Sequence, residues 1–232
     1  MTSKNFATLF TPKGTFVYPR LNVPDTKFKK EGVYSVQVRL TGAEGEALIA
    51  KLQPMADEAY ENAKVTIKDA IKEAKGAKLA KLKESLAKLE KSDLPVKPTY
   101  NDDGTEDGGA MVSIKMNAQF TNKKGEIVKL APIIVDSTGK NLENPPDIWG
   151  GTVGKVKAQI VPYYNASVNN AGVSLRLVSV QIIELVSKGG GDQGFDEEEG
   201  GYVGDDLPKQ KVADEDNTSP AGEAGEDETP DF

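Results

Sequence analysis

The segment Lys155-Val156-Lys157-Ala158-Gln159-Ile160-Val161-Pro162-Tyr163-Tyr164-Asn165 carries two lysines two residues apart and two adjacent tyrosines near its end. In an extended chain, positions two apart share a face. Cations there can track phosphates while flat rings accept bases, each stack being worth roughly 1–3 kcal/mol whatever the base. That is equipment for holding a single nucleic-acid strand; a hairpin whose tyrosines cap a core is the structural alternative, and the segment alone does not separate the two. Trp149 stands just before it, in Asp147-Ile148-Trp149-Gly150-Gly151-Thr152-Val153-Gly154. Glycines beside an indole admit a close backbone or a base, so the ring is a candidate stacking platform, although a lone tryptophan is more often core. As a phosphate loop the stretch fails on spacing, because three residues rather than four separate Gly150 from Gly154 and Lys155 is followed by Val156. The loop from Asn101 to Gly109 has the composition of a calcium loop without its alternating ligands or terminal glutamate, and reads as an acidic turn. Glu143 and Asp147 lie in Pro- and Asn-rich sequence, and no nuclease-like cluster of acids stands out.

What is missing narrows the chemistry further. The 232 residues include no cysteine and no histidine. This excludes disulfides, thiol nucleophiles, Cys/His zinc sites, Ser-His-Asp triads and imidazole bases. Carboxylate, lysine, tyrosine and hydroxyl chemistry remain, with Mg²⁺ on Asp and Glu as the accessible metal. The balance points away from an enzyme, and no cofactor is expected. The longest apolar run, Leu130 to Val135, spans six residues and contains Pro132, far short of the ~18 of a membrane span. The opening residues MTSKNFATLFTPKG lack the apolar region of a secretion signal, so a cytoplasmic location is expected.

The elements that must position these residues fall into two charge regimes. The formal net charge is −7, yet Asp192 to Phe232 holds 15 acidic residues and two lysines, or −13, which leaves +6 on residues 1–191. After Gly189, Gly190 and Gly191 the sequence is acidic clusters among Gly, Pro and Ser, a composition that cannot offset the entropy of ordering, and a disordered acidic C-terminal tail is expected over 189–232. It keeps spaced aromatics, Phe195, Tyr202 and the terminal Asp231-Phe232, and reads as a docking peptide or polyanion mimic.

A helical insertion is expected over about 42–91. Thr41 to Glu44 fits a capping box, Leu48, Ile49, Leu52, Met55, Ala59 and Tyr60 recur at helical spacing, and Pro54 should kink or restart the helix. A second stripe runs through Ile67, Ile71, Leu79, Leu82, Leu86 and Leu89, with Gly76 as a break. Nine lysines against four acids between 64 and 91 read as a solvated face, or as a basic helix flanking a groove. The rest of residues 1–188 reads as strand: Val33 to Leu40, Met111 to Phe120, Ile127 to Val135, Lys155 to Tyr164 and Val173 to Val186. Five strands and one helical excursion suit a small closed barrel, which leaves no sheet edge, and the oligonucleotide/oligosaccharide-binding (OB-fold) barrel is the expected mainly-β architecture.

Taken in order, VYSVQVRL, the helical insertion, IIVDSTGK, the Gly-rich turn into KVKAQIVPYY, SLRLVSVQIIEL with its GGG hinge, and an acidic tail ending in DF resemble the single-stranded DNA-binding protein of short-tailed, T7-like phages. The resemblance implies a five-stranded OB-fold barrel capped by a helix and homodimers. It implies coating and annealing of single strands in phage DNA replication, with roles in recombination and repair, in the cytoplasm of an infected bacterium. By position, Tyr163 is the family's stacking tyrosine, Lys115 and Lys4 are DNA-contacting lysines, and Phe232, with Asp231 beside it, is the tail end that contacts the phage DNA polymerase and the primase-helicase. Two departures stand out: Asn165 where the family can show an aromatic, and Tyr164 at a position that can be basic. Tyr164 or Trp149 is then expected to supply the missing ring. The expected DNA-binding set is Tyr163, Tyr164, Lys155, Lys157, Lys115, Lys4 and Trp149, with the tail competing with DNA for the groove. An acidic-tailed interaction adaptor with no affinity for DNA is the alternative.

Overall fold

The computed structural model describes residues 6–187. Lys4, Asp231, Phe232 and the tail expected over 189–232 lie outside the described residues. The chain runs β1 (Thr8–Phe10), β2 (Gly14–Asp25), β3 (Val33–Leu40), α1 (Gly42–Glu73), α2 (Gly76–Ala87), β4 (Glu90–Lys91), β5 (Val96–Tyr100), β6 (Glu106–Asn117), β7 (Gln119–Thr121), β8 (Ile127–Lys129), β9 (Ile133–Val135), β10 (Val153–Asn165) and β11 (Asn170–Glu184). It is mainly β, with both helices inserted between β3 and β4.

Alternation explains the long strands. Tyr34, Val36, Val38 and Leu40 of β3 are buried, as are Val112 and Ile114 of β6, Val156, Ala158 and Ile160 of β10, and Val173, Leu175 and Leu177 of β11. These side chains form one core cluster with Phe16 and Leu21 of β2; full burial of each large aliphatic contributes about 1.5–3 kcal/mol. The pairings make a circuit: β2 with β3, β3 with β6 and β10 with β11 are antiparallel, β6 with β11 is parallel, and β10 returns to β2 through Val153↔Thr15 and Gly154↔Gly14. The return demands a glycine: a Cβ on Gly154 would lie 2.2 Å from the Gln181 carbonyl oxygen and 2.6 Å from the Phe16 ring. The glycines before β10 thus serve, at Gly154, the close approach of backbone.

Two strand expectations need correction. Ile127 to Val135 is not one strand, because Pro132, which has no N–H to give a ladder, falls between β8 and β9. β8 pairs only with β7, and β9 runs beside β11. The remaining strand of the circuit is β2, whose Pro19 and Pro24 and register shifts after Val17 and after Arg20 hide it from a periodicity reading.

The expected stripe of α1 lies on the core: Leu48, Leu52 and Ala59 are buried, with Ile49 and Met55 packed against them. α1 runs on through Pro54 without the restart that was one of the two expected outcomes. No capping box forms either; the Thr41 hydroxyl donates to the Glu44 carboxylate at 3.2 Å rather than accepting from the backbone. Gly76, in the left-handed region at φ 58°, marks the break between helices. A second cluster, Ala63, Ile67, Leu89 and Ala171 with Leu82 and Leu86, fastens α2 to α1 and the end of β11.

Candidate nucleic-acid interface

Strand alternation divides β10 cleanly. Val156, Ala158 and Ile160 enter the core, so Lys155, Lys157, Gln159, Val161 and Tyr163 share the outward face. Tyr164, one residue on, faces the other way. It packs against the second cluster of Ala63, Ile67, Leu89 and Ala171, and its hydroxyl donates to the Asn169 side-chain oxygen at 3.4 Å. The two tyrosines that the sequence presents as a pair are therefore not brought together, and Tyr164 is not on the face of the lysines.

Register carries the outward face across the neighbouring strands. Gln159 of β10 is opposite Arg176 of β11, Arg176 is beside Lys115 of β6, Lys115 is opposite Ser35 of β3, and Ser35 is opposite Arg20 of β2. Three cations thus lie in one row crossing five strands, at the ~4.8 Å spacing of a sheet. Gln159 accepts from the Arg176 Nε–H at 3.0 Å and so holds the guanidinium. β1 adds rings along the edge of β10: Arg176 lies 5.1 Å from the Phe6 centroid, and Lys157 lies 5.5 Å from that of Phe10, a ring 65% exposed. Thr11 then leaves the ladder, its buried hydroxyl accepting from the Val156 N–H at 2.9 Å, which spares that strand an orphaned donor.

Beside the row, the connection between β2 and β3 forms one wall of a groove of about 690 Å³, lined by Phe28, Lys29, Lys115, Val161, Ser174 and Arg176 among others. The loop is built to hold its shape. Asp25 accepts from the Lys27 N–H at 2.8 Å, Gly32 at φ 77° donates to the Lys29 carbonyl at 2.9 Å, and Lys29 donates its ammonium to Asn117 at 3.3 Å. Phe28 at its tip is 88% exposed, with the Lys27 ammonium 5.4 Å from the ring centroid. Sequence reading missed Phe28, Lys29 and Arg176. The signals were an aromatic among lysines in Lys27-Phe28-Lys29-Lys30 and an arginine at an outward position of Ser174-Leu175-Arg176-Leu177.

Ion pairs sharpen the electrostatics. Among the described residues, Lys64, Lys72, Lys88 and Lys91 of the helical insertion and its end pair with Glu61, Asp69, Glu84 and Asp57. Lys115, Lys155, Lys157 and Arg176 take part in none of the ion pairs among the described residues. Four of the nine lysines between 64 and 91 are thus paired, whereas these four cations of the outward face are not.

Trp149 stands apart from the β10 row, 48% exposed in a cleft shared with Tyr18 and Arg20 of β2. The acidic loop between β5 and β6 forms a turn in which Asp103 accepts from the Thr105 N–H at 2.9 Å and from its hydroxyl at 2.6 Å, bonds that hold this carboxyl below the usual aspartate range. Among the described residues no three acidic groups converge as a metal site.

The family described as the single-stranded DNA-binding protein of bacteriophage T7 matches residues 14–185. The chain is 37% identical over 149 residues to the single-stranded DNA-binding protein of Escherichia phage T7, covering 60% of this chain and 63% of that protein, a little under two thirds of its length. To the single-stranded DNA-binding protein of Enterobacteria phage T3 it is 34% identical over 178 residues, 74% of this chain and 72% of that one. The crystal structure of the T7 protein superposes with a TM-score of 0.61 at 28% identity, covering 85% of this chain and 98% of that chain. With a match across most of its length in sequence and a shared fold, the chain belongs to the family of the phage T7 single-stranded DNA-binding protein.

Proposed function

We propose that this protein binds single-stranded DNA without sequence preference, through the outward face of β10, β11 and β6 and the groove beside it. The observation that carries the reading is the register row Lys115, Arg176 and Gln159, flanked by Lys155, Lys157 and Tyr163, because it sets unpaired cations beside an outward ring on one surface. Phosphates lie along Lys115, Arg176, Lys155 and Lys157, and Tyr163 stacks a base; Phe28 and Lys29 border the same path, and Lys4 is a further DNA-contacting lysine by family resemblance. Such contacts use features common to every nucleotide, so tolerance of sequence follows. Binding breaks no bond, and the protein acts as no enzyme and with no cofactor.

The circuit β2-β3-β6-β11-β10 is read as a five-stranded OB barrel capped by α1. A closed set of pairings with one parallel pair supports this, as does a groove placed against β3, β6 and the loop joining the first two strands of the circuit, where OB barrels bind oligonucleotides. Residues 1–188 form the DNA-binding domain and 189–232 the acidic tail. At −13 against +6, the tail competes with DNA by charge, and its displacement frees Asp231 and Phe232 for the phage DNA polymerase and primase-helicase. Homodimers coat and anneal strands during replication, recombination and repair in the infected host's cytoplasm.

Anisotropy of labelled poly-dT titrated with the full-length chain across a salt series tests the core of this. Binding that weakens as salt rises is expected. No binding to poly-dT at low salt would leave the acidic adaptor as the better account.

A further inference from the structure

We infer that the cleft between Tyr18 and Trp149 is a second base-holding subsite, at the β2 end of the cationic row. The inference rests on the single-strand reading above and extends the bound strand beyond β3. Three observations converge on it. The first is continuity: Arg20 lines the cleft and is in register with Ser35, which is in register with Lys115, so a phosphate backbone following the row from Arg176 reaches Arg20 after about 14 Å, three strand spacings. The occupant this selects is the next nucleotide of the same strand.

The second is the cleft's chemistry. About 430 Å³ lies between segments 18–23 and 147–150, with Leu21, Val23 and Ile148 as apolar walls and two rings at the rim, Tyr18 81% exposed and Trp149 48% exposed. A nucleobase, flat and apolar on its faces, fits such walls, and Arg20 supplies the cation for its phosphate.

The third is the defined main chain beneath both rings. Tyr18 holds a left-handed backbone at φ 47°, costly for a residue of its kind, inside the bulge that shifts β2 against β3. The Trp149 N–H donates to the Val186 carbonyl at 3.0 Å and its own carbonyl accepts from Thr152 at 3.2 Å. Asn22 fastens the preceding residues to β2, donating to the Pro146 carbonyl at 2.8 Å and accepting from the Ile148 N–H at 3.1 Å. The main chain beneath both rings is thus set in advance, so binding has little backbone left to order there.

The test uses the full-length chain and a poly-dT oligonucleotide of about 16 nucleotides, the upper end for one such domain. Tyr18→Asn removes the ring while keeping a residue that tolerates the left-handed backbone; Trp149→Leu removes the other ring; Lys115→Ala serves as the control for the main face. Thermal melts verify that each variant folds. The inference expects Trp149 fluorescence to quench along the binding isotherm, and each ring variant to lose roughly 5- to 150-fold in affinity, one base stack. Ring variants that bind as tightly as the unaltered chain, while Lys115→Ala binds more weakly, would overturn the subsite and leave the main interface standing. Absence of binding by the unaltered chain would instead remove the reading on which the subsite rests. A ring variant that changes sedimentation but not affinity for poly-dT would assign the cleft to contact between copies and overturn the inference.

Discussion

Tyr163 and Tyr164 are adjacent in sequence and serve different parts of the molecule. Period-two alternation sends the first outward beside Val161 and the second against the cluster of Ala63, Ile67, Leu89 and Ala171. Tyr163→Ala is therefore expected to weaken poly-dT binding by about 1–3 kcal/mol at an unchanged melting temperature. Tyr164→Ala should do the reverse, lowering stability by about 1–3 kcal/mol with the affinity of the folded protein retained; titrations and melts of both variants check the split. A lysine comparison follows the same logic. Lys115 has no ion-pair partner among the described residues, whereas Lys72 is paired with Asp69 on α1. Lys115→Ala is expected to reduce the slope of log K against log salt by about 0.7, the value of one phosphate contact on a single strand, and Lys72→Ala to leave it alone. Lys155, Lys157 and Tyr163 were legible as candidates because residue type and spacing state their chemistry, and Lys115 only through the family resemblance. Arg176 and Phe28 were not, since one is an isolated cation in an apolar strand and the other sits in a loop whose position relative to β6 no local pattern gives.

At the scale of elements, β3, β6, β10 and β11 were readable because each has a run of alternating buried and outward residues long enough to survive the register shifts between β10 and β11. β2 was not, since two prolines and two register shifts break its period, and with it went the pairing that returns β10 to the start of the circuit. The hairpin of β5 and β6 offers a test of local electrostatics. Asp107 accepts from the Thr99 hydroxyl and from the Gly109 N–H at 2.8 Å, with Arg39 beside it, and these bonds hold its carboxyl below the usual aspartate range. A carboxyl lowered on folding stabilises the protein fully above its unfolded value, about 3.9, and that stabilisation disappears as pH falls through the lower folded value. Stability in urea should accordingly decline as pH is taken from 5 toward about 2. Asp107→Asn should be less stable than the unaltered chain at pH 7 and show a shallower decline; equal slopes for both proteins would exclude Asp107 from the acid response.

For the whole molecule the decisive property is the separation of charge, +6 on residues 1–191 and −13 on the remaining 41. If the acidic segment competes as proposed, its tethering gives it a high effective concentration, and the affinity of the full chain for DNA would be the intrinsic affinity reduced by the fraction of faces so occupied. Both associations release counterions and both weaken with salt, DNA binding and tail binding alike. Their effects oppose each other in the full chain: added salt loosens DNA, but it also frees faces from the tail. A chain ending at Gly191 is therefore expected to bind poly-dT more tightly at low salt and to lose affinity more steeply as salt rises. The two proteins should converge at high salt, where the tail no longer competes. Paired anisotropy titrations from about 50 to 200 mM salt resolve this, since several phosphate contacts change affinity by orders of magnitude over that range. Parallel lines at equal affinity would remove tail competition and leave the tail as a docking segment alone. Steeper loss on truncation would mean that DNA occupancy sets how often Phe232 is available to a partner, coupling the two without any change in the arrangement of the strands.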